Sequence, residues 1–190
     1  MISDDILTGE KVKLVPFEAE RDSKIFAGWR NNSEYLRLMD GDVALHFSIE
    51  KMKKWIEENE LSDKFAFFII KAKDDDQVIG EIGLSGFKGN HCNAFVGISI
   101  GEPDNWGKGY GTDAMRVILR YGFGILNLNH VSLTVFEYNM RGVRSYEKAG
   151  FKHEGIQRQF LNRDGRRWDM YRMGILKSEW EELYLSSSSS

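Results

Sequence analysis

The chain has 190 residues, a hydrophobic content of 42%, an aromatic content of 13% and a formal charge of −3. That is enough chain for one domain with a substantial core. The charge gives no general attraction to nucleic acid or an anionic membrane, and no apolar run approaches the ~20 residues of a membrane span. Val12-Lys13-Leu14-Val15-Pro16-Phe17 reads as a first strand. Ile25, Phe26 and Trp29 recur at helical spacing and predict a helix ending near Asn31-Asn32. A loop, Leu38-Met39-Asp40-Gly41-Asp42, is expected next. Ser48 suits an N-cap for a second helix striped by Ile49, Met52, Trp55 and Ile56. The continuous apolar run over 65–70 predicts a strand covered on both faces. Asp74-Asp75-Asp76 reads as a solvated turn leading to a strand over 78–87, and Ala94, Val96, Ile98 and Ile100 alternate as a further strand.

After a glycine-rich stretch, Ala114, Val117, Ile118, Tyr121 and Ile125 form a helical stripe. Val131, Leu133 and Val135 alternate, and a short helix with Val143 and Tyr146 stops at Gly150. Two closing strands flank a turn at Asn162-Arg163-Asp164-Gly165. This order predicts a mixed α/β (α+β) fold in one domain over 1–185, followed by a low-complexity tail, Ser186–Ser190. The N-terminus does not read as a signal peptide, so a cytoplasmic protein is expected. The single Cys92 cannot form an internal disulfide and is expected as a small core residue beside a strand. Four scattered histidines offer no metal-ligand spacing, so no metal is expected.

The stretch Trp106-Gly107-Lys108-Gly109-Tyr110-Gly111-Thr112 carries the functional signal. Glycine lacks a Cβ, so successive backbone N–H groups can approach an anion, and the following helix adds its positive end. A phosphate site is predicted. It is not a Walker A loop: five residues rather than four separate Gly101 from Gly107, and Gly109 follows Lys108. Nor is it a dinucleotide fingerprint, because the third glycine position counted from Gly107 falls on Thr112. The strand over 94–100 enters the loop from its C-terminal end, where ligands settle in open α/β sheets. A ligand with a pyrophosphate and an extended amide arm suits such a place, and coenzyme A has both.

The residues 104–114 resemble the acetyl-CoA loop of the GNAT acetyltransferase superfamily. Asn139-Met140-Arg141-Gly142-Val143-Arg144-Ser145-Tyr146-Glu147-Lys148-Ala149-Gly150-Phe151 is similar to the family's second signature. Glu154-Gly155-Ile156, Asp164-Gly165-Arg166, Asp169 and Glu179-Trp180 resemble the ending of the branch that holds the ribosomal-protein N-terminal acetyltransferases. The resemblance spans about residues 8 to 183. It departs at Trp106, where the family's usual residue is Gln or Arg, a replacement frequent in that branch. The resemblance implies a twisted mixed sheet of about seven strands flanked by about four helices, with acetyl-CoA as cosubstrate. The backbone of Ile98, Ser99 and Ile100 would bond the pantetheine arm. The amides of Trp106, Gly107, Lys108, Gly109, Tyr110, Gly111 and Thr112 would hold the pyrophosphate, with Lys108 adding charge. Asn139 would bond the arm near the active centre, and Tyr146 would be the general acid at the thioester sulfur.

The implied reaction is attack of an amine on the thioester carbonyl within a ternary complex. A backbone oxyanion hole near Ile98–Ile100 would assist it. The base is open. One branch of the superfamily uses a Glu five residues before the signature Asn, and that position here is Thr134. Glu137 faces away by alternation. Glu81, His91 and Glu102 are polar candidates near strand ends, each also readable as a surface residue, and a water chain could serve instead. Deprotonating an α-amine at pH 7 costs roughly 1.4 kcal/mol against about 4.6 for a lysine-like amine. A chain without a strong base therefore favours a peptide or protein N-terminus. The acidic loop Asp40-Gly41-Asp42 points instead to a polyamine or aminoglycoside-like acceptor. A non-catalytic acyl-CoA-binding module is the third reading, and intact Tyr146 and Asn139 speak against it. An exposed edge strand would permit a homodimer.

Overall fold

The computed structural model describes residues 5–39, 41, 48–51, 53–54, 65–87 and 90–185. Met52, Trp55, Ile56, Asp40, Asp42 and the serine tail lie outside them. Seven strands form one mixed sheet: β1 Val12–Val15, β2 Phe65–Ala72, β3 Val78–Ser85, β4 Asn93–Ile100, β5 His130–Phe136, β6 Lys152–Arg163 and β7 Arg166–Leu176. Their spatial order is β1-β2-β3-β4-β5-β7-β6. Every neighbouring pair is antiparallel except β4 and β5.

Period-two alternation explains why β2 reads as an unbroken apolar run. Ile69 and Ile70 are both buried, yet consecutive side chains leave opposite faces of a strand. Ile70 joins the larger core, with Leu14, Ile82 and the α3 (Tyr110–Gly124) residues Ala114, Met115 and Ile118. Ile69 joins a second core on the other face, with Phe26 and Trp29 of α1 (Ala19–Trp29) and Tyr35 and Leu36 of α2 (Ser33–Met39). Each fully buried Ile or Leu contributes roughly 1.5–3 kcal/mol of transfer free energy, so both faces hold helices.

Three expectations change. Asn32 does not only end the first helix; its Oδ1 accepts from the backbone N–H of Glu34 at 2.9 Å and Tyr35 at 3.1 Å. That cap starts α2, so Leu38 and Met39 are helical rather than loop. Cys92 is not in the core: it is partly exposed directly before β4, at φ 50°. A further helix, Lys177–Tyr184, follows β7, with Glu179 accepting from the Leu176 N–H at 2.9 Å. Ser48 does cap as expected, accepting from the Lys51 N–H at 3.2 Å.

The site is positioned by a fault in the sheet. β4 and β5 pair only at Asn93↔His130, Ala94↔Val131 and Phe95↔Ser132. Beyond those pairs β4 stays on β3 as far as Ile100, and β5 stays on β7 as far as Phe136. The two parallel strands therefore part toward their C-terminal ends. At the end of β4, Gly101 lies flat on the Trp29 ring, which any Cβ there would overlap. β5, one arm of the fork, leads into α4 (Met140–Lys148).

Candidate active site

The parted strands open a cleft of about 810 Å³, lined on one side by Val96 to Ile100 of β4 and on the other by Leu133 to Phe136 of β5. That size suits a bound small molecule. The β4 backbone on this side is without a β5 partner beyond Phe95, leaving strand-edge donors and acceptors for an extended amide ligand.

The glycine loop closes one end. Gly107 and Gly109 take φ +76° and +90°, conformations that a side chain strains. Among the described residues, no protein acceptor takes the backbone N–H groups of Gly107 to Thr112. Orphan donors at a helix N-terminus, free of any side-chain cap, form an anion cradle. Trp106 anchors the loop. Its indole N–H donates to the Ile100 carbonyl at 2.8 Å, and the Arg141 guanidinium sits 4.0 Å from the ring centroid. Thr112 and Ser145 share a 2.8 Å hydroxyl hydrogen bond that joins α3 to α4.

α4 brings the signature side chains in. Asn139 is its N-cap, with Oδ1 accepting from the Gly142 N–H at 3.0 Å. Tyr146 packs beside Phe151 on the larger core and also lines the cleft. Its ring keeps some exposure, yet enough protein surrounds the hydroxyl for burial to push it up to about 12. Tyr146 therefore holds its proton at any physiological pH, as a general acid must.

The far end of the cleft is built from α2, β2 and β5. Tyr35, Leu38, Met39, Phe65, Phe67 and Phe136 make it aromatic and apolar. Among the described lining residues Glu81 is the one carboxylate. Ser99, directly opposite it on β4, donates to Glu81 Oε1 at 3.3 Å, and the Tyr35 hydroxyl lies 3.1 Å from Ser99 Oγ. Burial pushes Glu81 up to about 7; the Ser99 hydrogen bond and Arg30 offset this only in part. Burial also raises Tyr35, so its phenol stays protonated.

The structure thus gathers Tyr146, Asn139, Ile98, Ser99, Ile100, Trp106, Gly107, Gly109, Tyr110, Gly111 and Thr112 around one cleft. Lys108 is the exception. It lines a separate shallow depression with Lys11 and Lys73, and its carbonyl accepts from Lys11 Nζ at 2.8 Å. The cleft's cations are instead Arg141, Arg144 and Lys148. Their i, i+3, i+7 spacing marks one helical face, a signal present in the sequence. Of the base candidates only Glu81 lines the cleft; His91 and Glu102 are exposed outside it. Glu137 is occupied in accepting from the Asp169 N–H at 2.9 Å.

Residues 11–152 match the family model of the acetyltransferase (GNAT) domain. A SPbeta prophage-derived uncharacterized N-acetyltransferase of Bacillus subtilis, YokL, is 32% identical over 178 residues, 92% of this chain and 94% of the relative. The chain belongs to the GNAT acetyltransferases. Other relatives differ in acceptor. The human alpha/beta-tubulin N-acetyltransferase 9 is 26% identical over 77% of this chain and 75% of its own length. The spermidine N(1)-acetyltransferase of Vibrio cholerae is 36% identical over 105 residues, 54% of this chain and 59% of its own length. The crystal structure of a Vibrio cholerae spermidine N-acetyltransferase with CoA and spermine matches with a TM-score of 0.79 at 25% identity, covering 89% of this chain and 97% of that one. As a GNAT N-acetyltransferase this chain is an enzyme that uses acetyl-CoA. The strand edge, the anion cradle and the three cations of its cleft fit that cosubstrate.

Proposed function

We propose that this GNAT enzyme acetylates a primary amine carried on a largely apolar body, most simply the α-amine of a peptide or protein N-terminus. The carrying observation is the composition of the far end of the cleft. Six aromatic or apolar side chains meet one carboxylate there among the described residues. A buried ammonium must be paired to be tolerated, so this end accommodates one cationic centre and an apolar neighbour. The acetyl donor supplies a thioester carbonyl open to attack by an amine. The β4 edge at Ile98 to Ile100 holds the amide arm and polarises the carbonyl. The loop amides, with Arg141, Arg144 and Lys148, hold the phosphates. The Asn139 amide group borders the arm, and Tyr146 gives its proton to the departing sulfur. Intact Tyr146 at the cleft favours this over a module that only binds acyl-CoA.

A polyamine is the second reading, favoured by the similarity to the Vibrio cholerae spermidine enzymes. A thiol-release assay with acetyl-CoA separates the two. Peptides with apolar first residues are expected to turn over with kcat/KM at least tenfold above spermidine and spermine. The reverse ranking would select the polyamine reading. Release no faster than thioester hydrolysis across the whole panel would sink both.

A further inference from the structure

We infer that Glu81 is the general base of the transfer, aimed by a fixed Tyr35→Ser99→Glu81 chain of hydrogen bonds. The inference rests on the reading that this chain acetylates an amine. The sheet supplies the geometry. Ile69, Glu81 and Ser99 lie side by side across β2, β3 and β4. Ile69 belongs to the core under α1 and α2, which puts Glu81 on that face. Tyr146 packs on the core of the opposite face. Both nevertheless line the cleft where β4 and β5 part. The carboxylate and the phenol therefore approach one gap from opposite sides of the sheet. That is the arrangement for taking a proton from an incoming amine on one side and giving one to a departing sulfur on the other.

The chain has a direction. Ser99 donates to Glu81, so its oxygen is left to accept from the Tyr35 phenol. Tyr35 and Ser99 are themselves almost wholly buried, at 5% and 6% exposure, so the donors cannot turn to water. They hold Oε1 and bear on the proton transfer only through Glu81, for which both are positioning residues. The charged and titratable groups facing Glu81 among the described residues are Arg30 beyond α1 and Tyr35 of α2, while β2 offers Ile69. The cation and the hydrogen bond favour the carboxylate, and burial opposes it. The outcome is a carboxyl group poised near neutrality rather than a permanently ionised one.

The proton balance closes. Glu81 takes one proton from the entering ammonium and passes it to water. The freed nitrogen lone pair forms the C–N bond. The C–S bond breaks with its electron pair on sulfur, and Tyr146 protonates that sulfur. The remaining surplus proton on the acylated nitrogen restores Tyr146 through water. Ammonium and thioester thus give amide, thiol and one released proton.

Glu81→Gln keeps the shape and the Ser99 contact while removing the base. Its kcat is expected to fall at least 100-fold at pH 7.5. The wild-type acid limb near pH 7 is expected to move up toward the acceptor's own value, about 8 for an α-amine or about 10 for an alkylamine. Acetyl-CoA affinity by calorimetry and the melting temperature should stay unchanged. Infrared difference titration of the free wild-type protein against the variant should show a carboxyl signal with a midpoint near 7. Ser99→Ala should shift that midpoint upward, a change a merely structural serine would not cause. Wild-type turnover with an unmoved acid limb in Glu81→Gln would overturn the inference, as would a carboxyl midpoint near 4. Failure of the wild type to acetylate any amine would strike the enzyme reading instead.

Discussion

Tyr146 shows how one residue earns two descriptions. Its packing beside Phe151 is that of a core aromatic, and the same burial pushes its phenol above the ordinary tyrosine value, so its proton stays in place as a general acid requires. Tyr146→Phe should preserve the packing and remove the proton. We expect kcat to drop by about 10² to 10⁴ with acetyl-CoA affinity intact; a variant turning over like wild type would remove Tyr146 from the chemistry. Trp106 is the other instructive residue. The first position of the glycine loop is held by an indole that bonds Ile100 and stacks under Arg141. A cation stands beside the loop, supplied from α4.

At the scale of elements, each wall of the cleft is fixed by a neighbour distant in sequence. α2 carries Tyr35, Leu38 and Met39 into the apolar end of the cleft. Its last turn is secured from two places: the Arg37 carbonyl accepts from the Tyr138 hydroxyl of the β5–α4 loop at 2.7 Å and from Arg163 of the β6–β7 hairpin at 2.6 Å. An ion pair joins Arg37 to Asp164 in the hairpin turn. Helix-end carbonyls otherwise lack partners, so these two side chains serve as the cap that α2 lacks in its own sequence. The glycine loop depends on backbone shape. Gly109 has room for a Cβ, whose nearest neighbour would be Lys11 Nζ at 3.5 Å, but its φ of +90° excludes a branched residue without strain. Gly109→Val should weaken acetyl-CoA binding at least tenfold by calorimetry; unchanged affinity would count against the loop as the phosphate site.

Across the whole molecule, Asp113 ties the start of the chain to its middle. It sits in the first turn of α3, 7% exposed, and accepts from the backbone N–H groups of Glu10, Lys11 and Val12 at 3.2, 2.7 and 3.0 Å. Asp113→Ala would strand these donors at a cost of about 2–4 kcal/mol. The melting temperature should fall by roughly 5–15 °C; a drop within experimental error would show that the tie is dispensable. The sequence made the sheet legible because two-residue alternation is local, and it made the donor half of the site legible because both signatures are contiguous. The acceptor half was not legible. Glu81 stood in the sequence as one of three base candidates, but the β3–β4 pairing that sets Ser99 beside it and the α2 packing that brings Tyr35 to Ser99 leave no local pattern. α2 was missed because Asn32 reads equally as a stop and as a cap. The Lys108 side chain lies outside the cleft lining, whereas the cations on α4 share one helical face that their i, i+3, i+7 spacing already marks in the sequence.

The parting of β4 from β5 has a thermodynamic side. A sheet with an internal fork keeps a strand edge that a bound amide arm can complete, so acetyl-CoA would add structure that the folded chain leaves to it. Such a ligand binds the native state alone and raises its stability with concentration, by about 2.7 kcal/mol at a hundred times Kd. The resistance of this enzyme to unfolding and proteolysis would then follow the supply of its own acetyl donor, coupling how long the protein lasts to how much substrate there is to use.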